Sequence, residues 1–158
     1  MSDIIADSDG LMRALAAVLV ADVAELDARG VVVWHHGQGD PTEDIEEGVG
    51  RCGGVALLIT DDGGEETIGE GDAPILEHQI HMELYVDATQ RGKMRPGMRY
   101  GGQIRDAVMR AVHCNPALRP YQHCMMDLRV VRFMKVSDPD YAVWRIVLAR
   151  TFPLEVAE

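Results

Sequence analysis

Side chains able to ligate a metal or attack a substrate are present, but few are spaced for use. His113-Cys114 and His123-Cys124 repeat a ligand pair ten residues apart, and imidazole and thiolate are types that zinc prefers. The interval matches none of the usual zinc pairs. The first pair falls at an expected helix end and the second at the entry to a strand, where adjacent side chains point apart. Buried cysteines and a helix-end histidine account for both pairs more simply. His35-His36 ends a short strand, so its rings diverge too. His78 and His81 belong to one strand and point to opposite faces. Neither a metal nor a cofactor is expected.

Other chemistry fares no better. Residues 61–72 (DDGGEETIGEGD) offer carboxylates to calcium without the spacing of an EF-hand loop. They are expected to form a solvated or partner-facing loop. The stretch from Gly48 to Gly53 spells GxGxxG, but it precedes a strand instead of following one, and no GK[ST] occurs. The three serines, Ser2, Ser8 and Ser137, lie in terminal or turn contexts, and no GxSxG elbow is present. Asp61 and Asp62 are adjacent carboxylates, but nothing in a polar loop would raise a pKa for acid work. No catalytic residue is expected.

Two charged segments stand out as contact surfaces. Asp61, Asp62, Glu65 and Glu66 form an acidic one. Arg91, Lys93, Met94, Arg95 and Arg99 form a basic one in which methionine is interleaved with the cations. Such a surface suits an acidic partner. With Tyr100 as its one stacking aromatic, it suits nucleic acid less well. The asymmetry extends along the chain. Residues 1–90 carry 20 acids and three bases, while residues 91–158 carry 12 bases and six acids, giving the net −11. Opposite halves of this kind could pair between copies, or could mix into an ordinary solvated surface on folding.

The elements that would hold these residues can be read from periodicity. A helix is expected over 8–29, with Leu11, Leu15, Val18, Leu19, Val23 and Leu26 on one stripe and Gly30 as its stop. A short strand follows at 31–34. Asp40-Pro41-Thr42-Glu43 predicts one or two helical turns ending at Gly48. GGVALLIT at 53–60 is apolar almost throughout, as in a strand covered on both faces. Residues 75–87 alternate, with Ile80, Met82, Leu84 and Val86 facing one way and Gln79, His81, Glu83 and Asp87 the other. A second main helix is expected over 98–114, stopped by Asn115-Pro116. A hairpin of strands at 122–136 and 141–152 closes the chain, turning at 137–140.

The expectation is one α+β domain over 1–158. Its sheet is mostly antiparallel, with two main helices in the order helix-strand-strand-strand-helix-strand-strand. Both hairpin strands are apolar on both sides. Met126, Leu128, Val130 and Met134 oppose Met125, Val131 and Phe133; Trp144, Ile146 and Leu148 oppose Val143, Val147 and Ala149. Either the two helices split between the faces, or one face is covered by a neighbouring subunit. No apolar run approaches the 18 residues of a membrane span. The acidic start matches no signal peptide. An odd count of three cysteines, Cys52, Cys114 and Cys124, fits a reducing compartment.

The order of elements resembles the tail terminator (tail completion) proteins of long-tailed bacteriophages and gene transfer agents. The likeness covers nearly the whole chain: an N-terminal helix, VVVW, GGVALLIT, ILEHQIHMELYVDA, a charged loop, QIRDAVMRAVHCN and a final hairpin. It is a pattern, with no signature motif. It implies a structural virion protein without catalytic residues, assembled as a ring, typically of six copies. Such a ring sits on the last tail-tube ring, stops tube growth and meets the neck or head connector, with DNA passing through it. Another neck or tube subunit, such as a head-completion protein, fits the same pattern. A small metal- or ligand-binding α+β domain remains the alternative from a different class.

Overall fold

A computed structural model describes residues 8–34, 39–51, 53–68, 74–87, 99–121 and 128–153. The elements are α1 (Ser8–Asp22), β1 (Val31–Trp34), α2 (Thr42–Arg51), β2 (Val55–Ile68), β3 (Pro74–Asp87), α3 (Gly101–Val112), a 3-10 turn (Pro116–Tyr121), β4 (Arg129–Val136) and β5 (Tyr141–Pro153). The fold is α+β. One five-stranded sheet runs in the order β1-β2-β3-β5-β4. β1 is parallel to β2, and every other pairing is antiparallel.

Both main helices pack on one face of this sheet. Leu11, Leu15 and Leu19 of α1 and Ile104, Val108 and Val112 of α3 meet Leu57, Ile59, Ile80, Met82, Leu84, Ile146 and Leu148, all fully buried. The alternation expected in β3 is observed, its apolar set facing the helices. Fully burying each such side chain is worth about 1.5–3 kcal/mol, so this layer is the main source of stability. On the other, outer face, Ile45 and Val49 of α2 close over Ala56 and Leu58, with Val32, Trp34, Tyr85 and Tyr141 around them. Thus β2 is covered on both faces, as its unbroken apolar run requires.

Several boundaries differ from the expected ones. α1 ends at Asp22, not Arg29. Val23 and Leu26 stay buried because short-range turns, Leu26 N–H to the Val23 carbonyl at 3.0 Å among them, keep them facing the core. α2 passes through Gly48 to Arg51. A Cβ at Gly48 would lie 3.2 Å from the Arg29 carbonyl oxygen, so this glycine permits close packing and does not end the helix. The stop falls at Gly53 and Gly54, with φ of 68° and 92°. α3 is confined to 101–112. Beyond it Cys114 sits at φ 51° and the 3-10 turn begins at Pro116, burying Leu118.

The largest correction concerns residues 61–68 of the loop expected over 61–72, whose residues 69–72 lie outside the described residues. No loop begins at Asp61; β2 continues to Ile68, paired against Pro74–Ile80 of β3 after an irregularity between Asp61 and Gly64. Backbone pairing to β3 overrides the weak strand preference of Asp, Gly and Glu. The closing hairpin is present, with the Asp138 carboxylate accepting the N–H groups of Asp140 (2.9 Å) and Tyr141 (3.0 Å) at its turn. Its first strand is described only from Arg129; residues 122–127 lie outside the described residues. A bulge between Val130 and Arg132 shifts the register, so Phe133 pairs with Ile146 and faces the helices. Strict alternation places Phe133 on the side opposite Leu128 and Val130, whereas Val130 pairs with Leu148 and Phe133 with Ile146, on one face. No helix among the described residues is long and apolar enough to cross a membrane.

Candidate assembly interface

β4 is an edge strand with no partner on its outer side among the described residues. Its sequence, RVVRFMKV, holds three cations and no acid. Val131, Phe133 and Met134 are 41%, 49% and 37% exposed. Edge strands of this length usually carry devices against further pairing. Here the bulge and the cations are such devices, yet the apolar side chains remain open. Between β4 and α3 lies a groove of about 470 Å³ lined by Met109, Arg110, His113, Val130, Val131, Arg132 and Phe133. The Arg105 guanidinium lies over both Phe133 (5.1 Å) and Trp144 (5.8 Å), fixing the Phe133 ring at the groove's rim. His113 helps hold the strand: its Nδ1 accepts the Val130 N–H at 3.0 Å.

A surface on the sheet's outer face has the opposite charge. α2 presents Glu43, Asp44, Glu46 and Glu47 outward while Ile45 and Val49 point in. Asp40 precedes it, its carboxyl held below the ordinary value by hydrogen bonds from the Thr42 hydroxyl and N–H. Burial, then Glu46, Asp87, Asp140 and Asp138, push the nearby Tyr141 phenol up.

A second groove, of about 430 Å³, lies beside α2 on the outer face. Trp34, Tyr85, Ile45 and Leu58 give it apolar walls; His81, Glu83, Arg145, Thr60 and Asp40 give it polar groups. Burial, then the Glu83 carboxylate, raises Tyr85 to about 12, so its phenol stays protonated and donates to Glu83 at 3.3 Å. The arrangement can hold a small polar molecule. Thr60 and His81, cross-strand partners on β2 and β3, both line it.

Two charge networks are closed within the chain. Arg150 is fully buried in the sheet, and its Nε–H donates to His78 Nδ1 at 3.0 Å. Guanidinium cannot accept, so the His78 proton sits on Nε2 and is donated to Asp61 Oδ1 at 2.8 Å. This Asp61–His78–Arg150 chain ties β2, β3 and β5 together on the helix face. Elsewhere Glu25, 2% exposed, accepts from Arg99 Nε (2.7 Å), Nη2 (2.7 Å) and N–H (3.1 Å). The side-chain hydrogen bonds from Arg99 hold the Glu25 carboxyl below its ordinary range.

Of the nine residues singled out as contact surfaces, the structure describes the side chains of Asp61 and Arg99. Asp61 points into the sheet and Arg99 to Glu25. Asp62, Glu65 and Glu66 fall on β2. Arg91, Lys93, Met94 and Arg95 lie outside the described residues, as do His35-His36 and His123-Cys124. His78 and His81 do face opposite ways. Among the described residues, no three His, Cys, Asp or Glu side chains are grouped to hold a metal. Sequence reasoning missed Arg129, Arg132 and Lys135 as a surface. The available signal was three cations without an acid in a terminal strand. It also missed Arg150, a lone cation in the apolar run IVLARTF that had to find a partner. No family model matches this chain, and no curated protein proves similar to it.

Proposed function

We propose that this chain is a non-enzymatic structural subunit that assembles with copies of itself into a ring and serves as a tail terminator in a phage-like virion. The observation that carries the reading is the β4 edge: exposed Val131, Phe133 and Met134 flanked by exposed cations on the outermost strand of the sheet. Leaving such side chains in water is unfavourable, and a protein partner is the usual remedy. The element order adds support, since it follows the tail terminator pattern from the N-terminal helix to the final hairpin. In that role the ring caps the tail tube, meets the neck or head-completion protein on its opposite side and lets DNA pass without reading its sequence. The virion is then its location.

The test adds purified protein to the tail-tube protein of the same genome during tube growth, with tube length measured by electron microscopy. Short tubes closed at one end by a ring are expected; tubes that grow on unchanged contradict the role. A second reading, a small-ligand-binding domain, draws on the groove walled by Trp34 and Tyr85. It predicts that a soaked library of small polar molecules yields a ligand contacting Arg145, and that Tyr85→Ala abolishes that binding.

A further inference from the structure

We propose that copies of this chain join head to tail, the β4 edge of one against the outward face of α2 in the next. This pairing rests on the ring reading and adds to it which surfaces meet. β4 ends the sheet on one side, while α2 packs over the β1–β2 side. The two patches are thus separate surfaces, one along the sheet's edge and one on its outer face. A contact between two unlike patches is heterologous, and it closes into a ring when the rotation per subunit divides a full turn.

Charge selects this pairing over others. The exposed residues of β4 include Arg132 and Lys135, and the strand has no acid. The segment 42–49 of α2 carries Glu43, Asp44, Glu46 and Glu47 and no base, all four acids exposed. Two β4 edges meeting symmetrically would bring like charges together, and so would two α2 faces; only the mixed contact is attractive. Such complementarity sets partner and register more than raw affinity. The apolar part comes from Val131, Phe133 and Met134, which lose their remaining water in the contact. The register also points the right way. Arg132 and Met134 pair with Val147 and Arg145, on the outer face that α2 also occupies. Phe133 and Lys135 project to the helix face, so the neighbour's helix would wrap the edge.

The experiment uses two full-length variants. One is Arg132→Glu with Lys135→Glu, giving an acidic β4; the other is Glu43→Lys with Asp44→Lys and Glu46→Lys, giving a basic α2. Each alone brings like charges together at every junction. An equimolar mixture restores opposite charges at both kinds of junction, but only if the two variants alternate. Light scattering after size exclusion should give each variant alone the mass of a single 17.4 kDa chain. The mixture should return an oligomer holding both in equal amounts. Circular dichroism confirms that each variant is folded.

Retention of the wild-type mass by either variant overturns the pairing while leaving a ring intact. A mixture of folded variants that stays monomeric overturns it as well. So does a β4 variant of unchanged mass that has lost binding to duplex DNA, which would assign the cations to phosphates. A wild-type chain that is itself monomeric overturns the ring and the pairing together.

Discussion

The Glu25–Arg99 clasp and the β4 edge both depend on arginine, and they use it in opposite ways. Arg99 spends its Nε–H, one Nη2–H and its backbone N–H on a single buried carboxylate of the same chain. Arg132, on β4, stands on an exposed strand whose neighbours are exposed apolar side chains. The Asp61–His78–Arg150 chain belongs with the clasp. The comparison separates charges that hold the subunit together from charges that await another molecule. A substitution among the first should lower stability, whereas one among the second should alter assembly at nearly constant stability.

Arg99→Met should break this comparison most strongly. It leaves the Glu25 carboxylate buried without its counter-charge, at a cost of about 3–5 kcal/mol, read as a fall in denaturant midpoint. The pH dependence has a definite sign. Glu25 titrates below its ordinary 4.5 in the fold, so the clasp stabilises fully above that pH. Its contribution is lost as pH falls through the lowered folded value. The deficit of Arg99→Met relative to wild type should therefore shrink in acid.

Asp61→Ala should follow, at about 2 kcal/mol, because it strips the acceptor from a buried His78 N–H. The oligomeric mass of whatever remains folded should not change. Gly101→Ala should cost about 1 kcal/mol or somewhat more. A Cβ there would stand 2.8 Å from Trp144 Cη2, and the ring would have to yield. Thermal denaturation reads both. The smallest effect on stability, within about 0.5 kcal/mol, should come from Arg132→Glu with Lys135→Glu. That same variant should have the largest effect on mass. If it instead unfolded the chain, the division between internal and external charge would fail.

The parts of this fold that could be read in advance were those with short-range periodicity. β3 alternates, β2 is apolar on both sides, and the stripe from Leu11 to Leu26 is buried apart from the half-buried Val18, even though the helix carrying it ends at Asp22. What escaped depends on residues far apart. Glu25 and Arg99 are 74 positions apart, and His78 and Arg150 are 72 apart. No local pattern announces such partners. Residues 61–68 have the composition of a loop and become strand only because β3 supplies a ladder. The bulge beside Val130 turns Phe133 to the opposite face without any glycine or proline to mark it. The open surface was half legible: the hairpin's two apolar sides suggested a neighbour. The cations that give β4 its character were overlooked for the more conspicuous charges at Arg91, Lys93 and Arg95.

Sedimentation velocity of the unmodified protein over a wide range of concentration tests the idea that this surface exists for other copies of the chain. A single species is expected, at one integral multiple of 17.4 kDa that does not change on dilution. Sedimentation as a lone chain throughout that range would contradict it.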